Sequence, residues 1–177
     1  MSGGTLTLGA AAVTLNNSSA NVMNISGGTL TANTATLTIS DTGASTKTFI
    51  GGGKAFAAIT ITGEGAGAII FTGSNSFTAF TINAPKTVQF TAGTTQTVTS
   101  FVAAGTGANR ITIESTAAGS LATLSDSSGT NTVTFCDIKD STAAGGATWN
   151  ANDSQNNGGN TGWTFSLPKH LMFQVFE

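Results

Sequence analysis

The feature that most constrains this chain is a short pattern that returns at a near-constant spacing. Residues 56–62 read FAAITIT, and residues 77–83 read FTAFTIN. A second pattern, IFTG at residues 70–73, is followed by QFTAG at residues 89–93. Side chains that return at a near-constant interval are typical of solenoids, because equivalent residues of successive turns stack on one another.

Residues 1–40 carry a repeat of their own with a longer period. The sequence SGGTLT occupies residues 2–7 and recurs at residues 26–31, and TLTI at residues 36–39 returns as TIT at residues 60–62. Within these runs Leu or Ile alternates with Thr. A period of two places the aliphatic side chains on one face of a strand and the hydroxyl groups on the other. Gly-Gly before a run supplies the permissive backbone of a corner.

Composition narrows the fold class. Only 8% of the residues are charged, against about 25% in a typical soluble domain. The chain has 33 Thr and 23 Gly but only 2 Pro, and Thr, Val, Ile and Phe favour strands, whereas the common helix formers are scarce. The sequence therefore predicts an all-β protein, a single parallel β-helix (β-solenoid) with turns of about 20–24 residues, the spacings of its repeats.

A β-sandwich would also give short strands, but it provides no reason for side chains to repeat at a near-constant period. We expect the coil to be right-handed, the usual sense of crossovers between parallel strands. Its interior should be filled by buried apolar side chains. These are expected to include Ile59, Ile61, Phe71, Phe80, Ile82, Val88, Phe90, Ile111, Ile113, Val133, Phe135 and Ile138.

The domain organisation follows from where the pattern changes. Residues 1–166 form the predicted β-helix, with longer turns in 1–50, regular turns in 51–110 and, in 111–166, terminal turns that end in a cap rich in Asn, Gly and Trp. Residues 167–177 form an apolar tail that either caps the last turn or pairs with a neighbouring subunit. The predicted assembly residues of this tail are Leu171, Met172, Phe173, Val175 and Phe176.

Five short motifs carry a family resemblance. They read TAGTTQTV at 91–98, AAGSLATL at 117–124, IKDS at 138–141, GGATW at 145–149 and GNTGWTF at 159–165. This order resembles a module of phage virion proteins and large bacterial surface proteins that is similar to the pectate-lyase-like right-handed β-helix. The resemblance covers roughly residues 56–165. It implies a repeated building block without assigned catalytic residues, located outside the cell on a virion or a bacterial surface. The earlier SGGTLT runs resemble adhesin passenger repeats.

Partners are constrained by charge and by the length of the apolar runs. The net charge is −2, and the 6 Lys and Arg residues are scattered, so no basic patch is available to bind nucleic acid. The apolar runs are too short for a membrane-spanning helix. Residues 1–4 lack the features of a signal peptide. We expect self-association or neighbouring structural subunits as partners, with surface glycans as a further option.

Candidate catalytic and metal-binding residues are few. Asp137 and Asp140 are the closest carboxylates, but a spacing of three in a strand puts them on opposite faces, and polysaccharide cleavage usually needs a facing pair. Asp153 is the one carboxylate in the Asn-rich loop at residues 150–157, too few for a calcium site. Cys136 is expected to be a small buried strand residue. We predict no catalytic residue, metal or cofactor.

Two residue types suggest binding. Trp149 and Trp163 could stack on sugar rings, although capping of the core is the favoured role. Thr-x-Thr runs could order water on an ice-binding face, but the spacing of these runs shortens between Thr60 and Thr62 and their counterparts Thr81 and Asn83. The leading functional hypothesis is a non-enzymatic structural module of a phage virion or bacterial surface assembly. The alternatives are a carbohydrate-binding or polysaccharide-degrading β-helix, and ice binding.

Overall fold

The structure, a computed structural model, describes residues 1–83 and 85–166. The described chain is all-β and forms a parallel β-solenoid of about 7 turns, which confirms the predicted fold class. Every pairing between its strands is parallel. The tail residues predicted to serve assembly, 171–173 and 175–176, lie outside the described residues, so that expectation stays a prediction.

Three strands form most turns, one on each face of the solenoid, and twenty strands are present in the described residues. In chain order they are β1 (Thr5–Thr7), β2 (Ala12–Leu15), β3 (Asn21–Asn24), β4 (Thr29–Thr31), β5 (Thr36–Ile39), β6 (Lys47–Ile50), β7 (Ala55–Ile61), β8 (Ile69–Thr72), β9 (Ser76–Asn83), β10 (Lys86–Phe90), β11 (Thr95–Val98), β12 (Phe101–Ala104), β13 (Ile111–Ser115), β14 (Ala122–Ser125), β15 (Thr130–Thr134), β16 (Cys136–Lys139), β17 (Ser141–Ala144), β18 (Thr148–Asn152), β19 (Gln155–Asn156) and β20 (Thr164–Ser166).

The strand pairings define the three faces. The second face contains β2, β5, β12, β15, β18 and β20, and the third contains β3, β6, β8, β10, β13, β16 and β19. On the first face, β11, β14 and β17 pair in one stack, and β1 and β4 form a separate two-stranded sheet. The long strands β7 and β9 pass through a corner, so each contributes to the first and second faces.

Turn length varies over a wider range than the sequence repeats predicted. Along one column of the second face, Thr14 lies in register with Thr38, 24 positions later, but Val102 lies in register with Thr132, 30 positions later. The next offset, from Thr132 to Asn150, is only 18. Loops at the corners absorb these differences, so the strands stay stacked while the sequence period drifts.

The core is a column of aromatic and aliphatic side chains along the solenoid axis. Eleven of the twelve predicted inward residues are buried. The six rings of Phe49, Phe56, Phe71, Phe77, Phe80 and Phe90 pack in sequence with neighbouring centroids 4.9–6.1 Å apart. Phe101 and Trp149 extend this column toward the last turn.

The prediction for Phe135 was wrong. This residue has a φ of 49° and is only half-buried, because it forms the corner between β15 and β16. A left-handed residue reverses which side chain faces inward on the following strand, and so Cys136 rather than Phe135 enters the core. Residues 133–138, whose composition is that of one continuous strand, therefore belong to two strands on different faces.

Two adjacent glycines provide a matched test of the corner geometry. Gly52 and Gly53 both have positive φ, 62° and 72°, but only at Gly52 would a Cβ collide with backbone, the carbonyl oxygen of Ile25. At Gly53 the nearest atom is 3.6 Å away. We expect Gly52→Ala to lower the unfolding free energy by more than Gly53→Ala, which should cost about 1 kcal/mol. Urea denaturation of both variants measures this difference, and equal losses would contradict it.

Candidate functional site

The most regular surface is the outward side of the second face, which we call the threonine face. Its central column runs in register through all the turns and contains Thr14, Thr38, Thr60, Thr81, Val102, Thr132, Asn150 and Thr164. No strand of this face contains a charged residue. The result is an uncharged surface of small side chains across the length of the solenoid.

Burial of the alternate residues explains why the hydroxyl groups face outward. Leu37, Ile59 and Phe80 are buried and stack in register on adjacent strands, and the period of two turns their neighbours Thr38 and Thr60 toward solvent. The sequence predicted this alternation. It did not predict that the central outward column stays in register beyond residue 81. The spacing of the sequence repeats changes there, because the corner loops differ in length.

Charge is concentrated at the corner between the second and third faces. Arg110 Nε forms an ion pair of 2.6 Å with Asp137 Oδ1, and its other guanidinium nitrogens donate to the carbonyl oxygens of Cys136, at 2.8 Å, and Asp153, at 3.2 Å. Arg110 thus joins three consecutive turns. The side chains of both charged partners are about a quarter exposed, so the ion pair contributes at most about 1 kcal/mol.

The two carboxylates considered for catalysis are separated in the structure. Asp137 points outward on β16 toward Arg110, whereas Asp140 is buried at the next corner, with a φ of 51°. Asp140 Oδ2 accepts a hydrogen bond of 3.0 Å from the backbone N–H of Gly119. Asp140 thus stabilises its corner by binding a backbone N–H of the preceding turn, and the two carboxylates do not face a common cleft.

Two buried lysines lie at the same charged corner. Lys47 and Lys86 each donate from Nζ to a carbonyl oxygen of a preceding loop, at Ser19 and Gly65 respectively, both at 2.9 Å. Burial lowers the pKa of Lys86, and the nearby charge of Asp41 partly opposes this shift. A cavity of about 290 Å³ adjoins Lys86 and is lined by Glu64, Gly65, Ala66, Pro85, Lys86, Thr87 and Arg110. Its cationic groups are already bonded to protein, which favours a structural role.

The two tryptophans pack together at the C-terminal end of the core. Trp149 is 2% exposed, and its Nε1–H donates to the carbonyl oxygen of Ala144 at 3.1 Å. Its ring lies 6.0 Å from Phe101 and 5.2 Å from Trp163. Trp163 is half-buried and donates to Ser141 Oγ at 3.2 Å. This geometry matches the capping role, and Trp149 presents no ring face at the surface.

Side-chain amides in the last turn stabilise its loops. Asn160 Nδ2 donates to the carbonyl oxygen of Ile138 at 2.7 Å and to Asn156 Oδ1 at 2.8 Å, while its Oδ1 accepts from the backbone N–H of Ser141 at 3.0 Å. Asn152 Oδ1 accepts from Ser166 Oγ. Within the described part of the chain, no group of three or more His, Cys, Asp or Glu residues could hold a metal ion.

The sequence reading missed two buried amide networks. Asn75 Nδ2 donates to Gln96 Oε1 at 3.1 Å in the core, and Gln96 Nε2 donates in turn to the carbonyl oxygen of Gly73 at 2.7 Å. Asn131 and Asp126 form the second network. These residues lie in Thr/Ser/Gly-rich segments that look like ordinary surface loops, and only the stacking of adjacent turns places them inside.

Cys136 gives a pH-dependent prediction. Burial raises the pKa of its thiol from an ordinary value of 9.0 to about 12. The unfolded thiol ionises above pH 9 while the folded one stays protonated, so the thiol's contribution to stability is intact below pH 9 and is lost progressively as the pH approaches about 12. We expect the urea midpoint of the wild type to fall more than that of Cys136→Ala between about pH 8 and about pH 10.5. An equal fall in the two proteins would contradict the buried thiol.

No protein-family model, curated protein or solved structure matches this chain in the comparisons made. The fold assignment therefore rests on the strand topology of the described residues. Helices of the length and apolarity needed to span a membrane are absent from that part of the chain.

Proposed function

We propose that this protein is a non-enzymatic structural module, a β-helical building block of a phage virion or of a bacterial surface assembly. The observation that carries the proposal is the stack of parallel strands, continuous on the second and third faces, around one aromatic column. Each turn contacts mainly its neighbours, so the fold acts as a rod whose length is set by the number of turns. Of the two carboxylates considered for catalysis, Asp140 stabilises a corner and Asp137 forms an ion pair with Arg110.

The energetics of the rod support this role. Each fully buried Ile or Phe contributes about 1.5–3 kcal/mol relative to its exposed state. The core contains such residues in every turn from the one that holds β4–β6 to the one that holds β14–β16. The strand surfaces carry few charges. A rigid, weakly charged rod resists local unfolding, which proteases need to cleave a chain, and this suits an extracellular component.

Immunogold electron microscopy tests the proposal. Antibodies raised against the full chain should label virions or surface structures of the producing cells, while the purified chain should neither cleave nor retain polysaccharides. Labelling confined to the soluble fraction, or cleavage of a polysaccharide, would contradict the structural role.

A second candidate function, ice binding, is supported by one specific observation, the in-register column of the threonine face. Adjacent turns lie about 4.8 Å apart and alternate residues along a strand lie about 6.6 Å apart, so the outward side chains lie on a regular two-dimensional lattice, and six of the eight positions in its central column are Thr. Such an array can order water in a lattice, whereas charged side chains would disturb it.

Thermal hysteresis measurements decide this second function. If the threonine face binds ice, the wild type shows hysteresis and Thr60→Lys, at the centre of the column, loses most of it. Thr112→Lys is the matched control, because Thr112 is an outward residue on the third face. Absence of hysteresis in the wild type, or an equal loss in both variants, would rule out the threonine face as an ice-binding surface.

A further inference from the structure

The two ends of the solenoid carry open strand edges. Among the described residues, β1 pairs only with β4, β2 only with β5 and β3 only with β6, so each of these three strands has one unpaired edge. We call this end the N-terminal rim. At the opposite end, β19 pairs only with β16, and β20 pairs only with β18; we call this end the C-terminal rim. An open strand edge is a template for pairing with another chain.

The N-terminal rim lacks the usual protection of such edges. Natural edge strands are commonly guarded by charged side chains or by proline, but residues 1–40 contain no Asp, Glu, Lys, Arg or Pro. The inward apolar residues Leu6, Val13 and Leu15 are only half-buried there, although Leu37 and Ile39, the equivalents of Val13 and Leu15 one turn on, are buried. The N-terminal rim therefore has the composition of a surface that is covered.

Strand polarity and register identify what fits the N-terminal rim. Because all strand pairings are parallel, a second copy can continue the ladder in the same sense only by presenting its C-terminal rim. The column headed by Thr14 ends at Thr164, and the inward column headed by Leu15 ends at Phe165. Phe165 is half-buried, like Leu15, so each rim leaves apolar surface that the other can cover.

We propose that the N-terminal rim binds the C-terminal rim of a second copy of this chain, head to tail, with Thr164 opposite Thr14 and Phe165 opposite Leu15. The proposal rests on the structural function proposed above and names its partner. Such a contact joins two different surfaces and does not close on itself, so repetition yields a filament that continues the solenoid. The only charged residue in the last turn, residues 141–166, is Asp153, so few charges need to be desolvated.

Disulfide trapping between full-length chains tests the contact. A Thr14→Cys chain is mixed with a differently tagged Thr164→Cys chain and oxidised with copper phenanthroline. In register, the two Cα atoms would lie about 4.8 Å apart, within the roughly 4.4–6.8 Å that a disulfide spans. Thr38→Cys mixed with Thr164→Cys is the matched control, since Thr38 lies in the same column one turn away from the rim. The native Cys136 is buried in every chain.

The expected result is on the order of tenfold more heterodimer from the Thr14→Cys mixture than from the control, because only that pair brings the thiols within disulfide reach. No heterodimer, or a yield equal to the control, would overturn the proposal. Preferential Thr14→Cys homodimers would show head-to-head contact and also overturn it. A third mixture, Thr14→Cys with Val175→Cys, tests the tail. If this mixture gives the heterodimer and the Thr164→Cys mixture does not, residues 167–177 bind the N-terminal rim, and the proposal is overturned. Immunogold labelling of surface structures without rim trapping would refute this contact while leaving the structural function standing.

Discussion

Replacement of Phe80 by alanine is expected to lower the free energy of unfolding by about 3–5 kcal/mol. Phe80 is fully buried at the centre of the aromatic column. Its ring lies 4.9 Å from Phe71, 5.1 Å from Phe77 and 5.3 Å from Phe101. Truncation removes the apolar area of the ring and leaves a cavity that the stacked backbone, fixed by hydrogen bonds on both sides, cannot close.

Urea denaturation followed by both tryptophan fluorescence and far-ultraviolet circular dichroism measures this loss. The control is Thr81→Ala on the same strand, whose outward side chain should matter by no more than about 0.5 kcal/mol. Each solenoid turn is stabilised by its neighbours. We therefore expect the fluorescence and circular dichroism transitions of Phe80→Ala to occur at different urea concentrations, because the C-terminal turns that carry Trp149 unfold apart from the rest. A loss at Phe80 as small as that at Thr81 would contradict a core built on this column.

Replacement of Asn131 by leucine is expected to destabilise the protein by a similar amount, about 3–5 kcal/mol. Asn131 is 1% exposed and lies between Phe101 and Trp149 in the inward column. Its Oδ1 accepts from the backbone N–H of Phe101 at 2.7 Å, and its Nδ2 donates to Asp126 Oδ2 at 2.9 Å. Leucine has a similar volume but leaves a buried carboxylate oxygen and a buried N–H without partners.

A double-mutant cycle with Asp126→Ala isolates this cause. If the cost comes from the buried carboxylate, Asn131→Leu should destabilise the Asp126→Ala background by about 1–3 kcal/mol less than the wild type. Equilibrium unfolding of the four proteins gives the coupling energy. Additive effects would instead indicate that Asn131 is important for packing or for the bond to Phe101 alone.

The repeating apolar residues were sufficient to predict the fold class and most of the core. Alternation within short runs located Ile59, Ile61 and Phe80 correctly, because a period of two is a direct consequence of the pleated strand. The same rule failed at Phe135, where one residue with positive φ changes the inward register and no local composition marks the corner. The sequence also did not show how widely turn length varies, because the corner loops differ in length from turn to turn while the strands stay in register.

The surfaces were harder to predict than the core. The repeat aligned Thr60 with Thr81 correctly, but the register of Thr81 with Val102 and of Val102 with Thr132 depends on how many residues the corner loops absorb, and no repeat in the sequence marks it. The roles of Asn75, Gln96 and Asn131 depend on partners 5–30 positions away in the chain. The position of the tryptophans at the end of the core could be anticipated, because an aromatic pair beside an Asn- and Gly-rich loop is typical of a solenoid end; that they cap the core stays a prediction.

The most direct test of the structural role is cryo-electron microscopy of the native assembly from the producing cells, with the chain located by antibody labelling. The structural account predicts that the protein is an integral part of an extracellular particle, with its turns visible as strands about 4.8 Å apart along the rod. Finding the chain only as a free, soluble protein, absent from any particle, would contradict that account.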